Sequence, residues 1–276
     1  MPYGFTRSRN RLSDDEYRYR KVSKNVEYVF VDHGFFDMSH SIRFEYPHIA
    51  NAFYAIFGQG LYLYFLYQYV TNSYYWPMMI FNWIFQSWNA ISTTAGAHRL
   101  WSHRSYSAHW TVRLFLAAGY STTYMSTILD WGRGHRVHHK WQDTDSDPHN
   151  ARRSFGFAHA WWVYQREHPD VIRVERQVRI DDLKADPIVK FQHDYNLYII
   201  HFLGLIIPYC VLYPWYGTNL LIAISSLFVR NVQHAHIAAF VNSAAHMFGS
   251  QPYNSKILAS DNMIVSITSG GEGNMC

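Results

Sequence analysis

Cysteine is nearly absent: the 276 residues hold two, Cys210 inside an apolar run and Cys276 at the last position. That excludes a disulfide framework and a thiolate-rich metal site. Charge is scarce too, with Asp, Glu, Lys and Arg making up 16% of the chain, and the net charge of +4 is too mild to call for a nucleic-acid partner. The first 45 residues are polar and contain no apolar stretch of the kind a signal peptide needs. The scarcity of charge is uneven. Positions 46–97 and 195–229 carry no Asp, Glu, Lys or Arg, and all but two of the 24 Lys and Arg fall in 1–45 and 98–196, the exceptions being Arg230 and Lys256. At about 20 residues per crossing, 46–97 is long enough for two, and 195–229 accommodates two when the second continues past Arg230.

Aromatic side chains are abundant: 22 Tyr, 18 Phe and 10 Trp. With 17 His they hold the mean hydropathy at −0.22 while remaining suited to membrane interfaces and bundle interiors. Four crossings are expected, at about 47–70, 76–97, 196–216 and 220–241. At about 1.5 Å per residue a stretch of this length reaches across a bilayer. The turns at 71–75 and 217–219 contain no Lys or Arg, so every basic segment belongs on the cytosolic side, with both termini. The expected fold is an all-α membrane protein. A polar cytosolic arm, 1–45, precedes a membrane domain, 46–276, whose four transmembrane helices carry a cytosolic helical cap over 98–195. Within the cap, 110–129 reads as an interfacial or buried helix. Asn82, Gln86 and Asn89 recur at helical spacing and either line a cavity or contact neighbouring helices. The fourth crossing contains Arg230, Asn231, Gln233, His234 and His236. Either these face a cavity or the span ends near Val229. The run Asp143-Thr144-Asp145-Ser146-Asp147 has the letters of a calcium loop but lacks the glycine and glutamate of an EF-hand.

The chemistry concentrates in His135-Arg136-Val137-His138-His139. On a helix, side chains three and four apart share a face, so three imidazoles can point at one spot. Neutral imidazole suits Fe, Zn, Cu and Ni. Chance clustering on a solvated face would account for this run alone, but His98-Arg99-Leu100-Trp101-Ser102-His103 adds a second cluster. His98 and His103 are five apart, about 140° net around a regular helix. They meet at one metal if the helix is distorted or ends there; otherwise each serves a different ion. His246, in Asn242-Ser243-Ala244-Ala245-His246, ends the fourth crossing near the same membrane face. Six imidazoles are too many for one ion, so two metals are expected, and a thiolate-free, carboxylate-poor set points to redox iron rather than structural zinc.

These three clusters, with Thr94-Ala95-Gly96-Ala97, Asp147-Pro148-His149-Asn150-Ala151-Arg152-Arg153, Asp186-Pro187 and Gly271-Glu272-Gly273, resemble the integral-membrane acyl-CoA desaturases from about 76 to 273. The resemblance implies a four-helix anchor in the endoplasmic reticulum membrane and a histidine-held di-iron centre. It also implies O2, with electrons from cytochrome b5 and its reductase, and a double bond placed in fatty acyl-CoA, commonly at the ninth carbon. By motif position His98, His103, His135, His138, His139 and His246 correspond to iron ligands, Asn242 to a residue holding a metal-bound water, and Arg133 and Arg166 to contacts for CoA. The chain departs from the family pattern at Gly134, Glu167 and Ala239. After Gly271-Glu272-Gly273 the sequence ends in Asn274, Met275 and Cys276, without the family's third histidine box. The expectation is a C-terminally truncated desaturase of impaired activity. The alternatives are a catalytically silent relative and a related di-iron acyl hydroxylase.

Overall fold

The computed structural model describes residues 21–23, 26–28, 47–165, 167–252 and 258–273, with backbone alone over 21–23, 26–28 and 47–55. Most of the expected 1–45 arm lies outside the described residues. Its described part is a short antiparallel ladder of β1 (Lys21–Ser23) and β2 (Val26–Tyr28). From residue 47 the described chain is helical, apart from one isolated bridge between Ser250 and Asp261.

Four long helical runs carry the molecule. The first, α1 (Pro47–Thr71), ends at Asn72, whose side chain accepts the Tyr74 N–H at 3.1 Å and caps a single 3-10 turn. The second, α2 (Trp76–Ile91), begins with proline in its first turn and continues unbroken into a π-helix, Ser92–Ser102. The third joins α8 (Pro187–His201), a π turn (Phe202–Ile206) and α9 (Ile207–Tyr216). The fourth is α10 (Leu220–Met247). Among the described residues, Pro187–Tyr216 is the run both long and apolar enough to cross a membrane. It starts nine residues before the expected crossing because Asp186 caps it, accepting from the Ile188 N–H at 2.9 Å. The other three coincide in place with expected crossings but are more polar. Arg230, Asn231, Gln233, His234 and His236 all lie within α10.

Those polar groups turn inward. Arg230 is fully buried, donating to Ser226 Oγ at 2.8 Å, Asn82 Oδ1 at 3.3 Å and the Gly204 carbonyl at 2.7 Å. Gln86 and Thr93 hold His234. Outward, α1, α2 and α9 present Ile56, Leu63, Val70, Trp83, Ile84 and Trp215 to the surroundings, each more than half exposed. The two hairpin turns meet at one end of the bundle, where the Tyr216 hydroxyl donates to the Tyr74 carbonyl at 2.8 Å and its ring packs edge-on against Tyr74. Phe65, Met78, Leu212, Tyr216, Ile222 and Val229 form the core there.

A second core lies under the cap. It gathers Leu100 and Trp101 from the π-helix with Leu116 and Tyr120 of α3 (Trp110–Ser121). Ile128 of α4 (Ile128–Trp141) and Leu183 of α7 (Asp181–Ala185) complete it. Each such aliphatic side chain contributes about 1.5–3 kcal/mol by leaving water. The helix expected over 110–129 ends at Ser121. One face is buried, through Leu116, Ala117 and Tyr120, while Trp110, Val112 and Phe115 stay exposed on the other. Gly119 lets α3 lie close on the second run, since a Cβ there would overlap Ser92 Oγ and sit 2.6 Å from Trp88 Nε1. Three further short helices, α5 (Phe155–His159), α6 (Pro169–Glu175) and α11 (Met263–Ser269), lie beyond α4 in the chain.

Candidate metal centre

The π-helix resolves the spacing of His98 and His103. Its hydrogen bonds run from residue i to i+5, and the His103 N–H donates to the His98 carbonyl at 3.0 Å. Residues five apart then lie one turn above each other on a single face. The two rings stand 4.6 Å apart between centroids. The distortion that a regular helix lacked is built into the chain.

Beside this face, α4 brings His135 and His139, whose rings are 4.5 Å apart. Donor atoms of His98, His103, His135 and His139 all lie within 4.8 Å of one another, with His103 Nε2 3.0 Å from His135 Nε2. Arg136 locks the two segments together. Its guanidinium donates to the Trp101 carbonyl at 2.7 Å and the Ser102 carbonyl at 3.1 Å, closing the open C-terminal end of the π-helix. It also grips Asp182 through two bonds, at 2.8 and 2.6 Å. Trp131 stacks on the His135 ring at 4.6 Å and 10°. Glu272 accepts from His98 Nδ1 at 2.7 Å, which turns Nε2 toward the group. Burial, together with the crowd of neighbouring imidazoles, lowers the pKa values of His103, His135 and His139. The rings are therefore neutral near pH 7, the form that binds a cation.

His138 does not join this set. It is adjacent to His139 in sequence, so it points about 100° away around α4. The single spot expected for three imidazoles is thus two spots. His138 Nδ1 lies 2.9 and 3.0 Å from the two Asp147 oxygens, and its ring is 4.2 Å from His149 and 5.3 Å from His246. After α4 the chain reverses at Asp143, a left-handed residue with φ 58°, whose N–H donates to Asp147 at 2.8 Å. Aspartate tolerates that conformation better than most side chains. Asp147 also accepts the His149 N–H at 3.1 Å, and His246 Nδ1 lies 3.4 Å from Asp143. Burial opposes the Asp147 charge, but His149, His138 and the Asp143 amide outweigh it and hold the carboxyl well below the usual range. His149 is pushed down to about 3 by burial, reinforced by His138.

Both groups open on one cavity. Ala90, Met125, Val137, Val163, Val171, Ile237 and Val241 wall it, with His98, His135, His138 and His149 on its polar side. Asn242 lines it as well, as do the three departures Gly134, Glu167 and Ala239. Arg133 is held by Asp130 and Glu175, each at 3.8 Å. Arg166 and residues 274–276 lie outside the described residues.

The structure thus places His98, His103, His135 and His139 in one group and His138 and His246 beside a second. Sequence reading gave no role in the site to Arg136, Asp143, Asp147 or Glu272, and held His149 only as a reserve metal ligand. Arg136 sits inside the histidine run and Glu272 inside a quoted motif, but nothing in their spacing names what they bond. Asp143 was visible only in a failed calcium loop, and Asp147 there and at the head of a quoted motif.

No family model matches the chain. Curated proteins do. Stearoyl-CoA desaturase 5 of Bos taurus is 44% identical over 190 residues, which cover 67% of this chain and 55% of that protein. The acyl-CoA delta-11 desaturase of Spodoptera littoralis is 37% identical over 233 residues, covering 84% and 65%. A delta-9 fatty-acid desaturase of Caenorhabditis elegans is 37% identical over 199 residues, covering 72% and 59%. The chain therefore spans between half and two thirds of the length of these relatives. With motifs, spacing and similarity in agreement, the chain belongs to the acyl-CoA desaturase family.

Proposed function

We propose that the chain carries the catalytic region of an O2-dependent acyl-CoA desaturase that places a cis double bond, at the ninth carbon, in a fatty acyl chain. The observation that carries this is the pair of imidazole groups opening together on one apolar-walled cavity. The donor set fits a metal pair: clustered imidazoles, Nδ1 positions of His98 and His138 fixed on Glu272 and Asp147, and buried ring nitrogens of His149 and His246 without partners. When bound, iron supplies the oxidising power needed to break an unactivated methylene C–H, which no side-chain acid or base can do. Overall, two C–H bonds of the acyl chain are lost and O2 is reduced to two waters, with two electrons and two protons supplied from outside. Cytochrome b5 and its reductase are the proposed electron source.

The chain's own residues bind and orient. Val137, Ile237 and Val241 would hold the acyl chain away from water, so that one methylene stays in register with the imidazole groups. His98, His103, His135, His138, His139 and His246 are the proposed ligands, with Asn242 reaching a metal through water. Arg133 would exchange Asp130 and Glu175 for a CoA phosphate, and Arg166 would assist. The proposed setting is the endoplasmic reticulum membrane, crossed four times with the cap cytosolic. The exposed apolar flanks of α1, α2 and α9 support the membrane setting.

A second reading, a silent relative, draws on one observation: Gly134, Glu167 and Ala239 all line the cavity. Both readings meet the same test. The chain, alone and extended after Gly273 by a family-type His-Asn-x-His-His segment, is expressed in desaturase-deficient cells, and acyl chains are analysed by mass spectrometry. The extended form is expected to yield cis-monounsaturated product that disappears with His98→Ala. Metal-loaded protein without product favours silence, and a hydroxylated product favours the hydroxylase.

A further inference from the structure

The histidine groups do not account for every polar side chain along the cavity. On α10 the cavity is lined by Asn242, Ala238, Ala235 and His234, residues three to four apart on one face. Asn231 stands one turn farther along that face, about 16 Å along the helix axis from Asn242. It is buried, and neither its amide nitrogen nor its amide oxygen has a hydrogen-bond partner. A buried polar group left so costs about 1–3 kcal/mol and calls for an occupant. His234 ties the same stretch to the second helical run. The Gln86 amide donates to its Nδ1 at 2.9 Å, which leaves Nε2 to donate to Thr93 Oγ1 at 3.0 Å. Thr93 lines the cavity too. With its oxygen accepting from His234, its O–H is left to donate.

The wall between these groups and Asn242 is apolar, through Ala235 and Ala238. A plain methylene chain satisfies none of the polar atoms beyond it. The amide of Asn231 offers both donors and an acceptor, and Thr93 adds a donor, so the complementary group is one that accepts and donates at once, an alcohol. We infer that Thr93 and Asn231 form a hydroxyl-binding subsite, and that the acyl chain taken by this cavity carries a hydroxyl on the part that runs beyond the histidine groups. The inference rests on the acyl-chain reading given above and adds the substrate class to it. Binding rather than turnover tests it, so the two stand or fall separately.

The whole chain, in detergent micelles, is titrated calorimetrically with pairs of acyl-CoA thioesters of equal length, one plain and one with a terminal hydroxyl, over a series of lengths. Plain chains should bind, and at one length the hydroxyl should tighten binding about tenfold, because it satisfies atoms otherwise orphaned. Asn231→Leu and Thr93→Val should each abolish that preference. Both should still bind the plain chain, which shows that the variant is folded; if either fails to fold, the wild-type comparison decides alone. Plain chains that bind with no hydroxyl preference at any length overturn the subsite, give its polar atoms to ordered water and leave the acyl-chain reading standing. A preference that survives in both variants overturns the assignment to Thr93 and Asn231. Absence of binding by either kind of chain overturns the subsite and the acyl-chain reading together.

Discussion

At the scale of single residues, the arrangement depends on carboxylates that touch imidazoles rather than on the imidazoles alone. A ring nitrogen can face a metal only if its partner nitrogen is held elsewhere, and Glu272 does this for His98 at 2.7 Å while Arg99 pairs with the same carboxylate at 3.2 Å. Glu272→Gln keeps the shape but removes the charge that favours the Nδ1–H tautomer. Metal affinity of the first group is expected to fall about 10–100-fold, as losses of such outer partners do. Competition titration with a chelating dye checks this, and the melting temperature of the metal-free protein should barely move. An unchanged affinity would show that His98 needs no orienting partner. Glu272 lies 174 positions from His98 in the sequence. A motif reading carries the triplet Gly271-Glu272-Gly273 but not the bond, because contacts of that separation are decided by tertiary packing.

At the scale of elements, a single side chain joins three of them. Asp186 caps α8 through the Ile188 and Val189 amides, accepts the Trp101 indole N–H at 3.0 Å and pairs with Arg113 of α3. Trp101 belongs to the π-helix that aligns His98 with His103, so this node sits one turn from the ligands. Asp186→Ala removes a cap worth about 1 kcal/mol and strands a partly buried guanidinium and a buried indole N–H, at about 1–3 kcal/mol more. The expected outcome is a loss of about 2–4 kcal/mol in denaturant unfolding, together with weaker metal binding at the first group. Asp186→Asn, which can still accept at the cap, should recover part of it. Much at this scale was legible. Helices α1, α2 and α10 begin where the charge-free blocks predict, since apolar runs and short polar turns fix the ends of long helices. The third run was read from Asn196 because Lys190, His193 and Asp194 interrupt the apolar pattern, although the helix starts at its cap. The π-helix was legible only as one alternative, a distortion that would let His98 and His103 meet, as no periodicity marks a change from i+4 to i+5 bonding. The short helices α5, α6 and α7 depend on caps and packing rather than on pattern.

At the scale of the whole molecule, the two hairpin turns and the histidine groups are set apart along the helical bundle. Tyr216 ties the 217–219 turn to the 73–75 turn, through its own hydroxyl to Tyr74 and through the Met78 N–H donating to it at 3.3 Å. The imidazoles gather where the π-helix and the C-terminal part of α10 lie. Between the two ends, buried Arg230 is held by Asn82, Ser226 and Gly204, so the polar groups of α10 face protein and the exterior stays apolar. A membrane around that exterior would leave the turns on one side, the cap on the other. Basic residues are absent from both turns and dense from 98 to 196, and cytosolic loops are the ones that carry excess Lys and Arg. Protease-sensitive tags inserted near residues 72 and 218 are therefore expected to be protected in sealed microsomes, while tags at residue 1 and near 160 are cut. Detergent should expose all four. Because one hydroxyl bridges the turns, the tags at 72 and 218 must behave alike. Cleavage of one without detergent and protection of the other would contradict the hairpin pairing itself, and cleavage of all four would remove the membrane from the proposal.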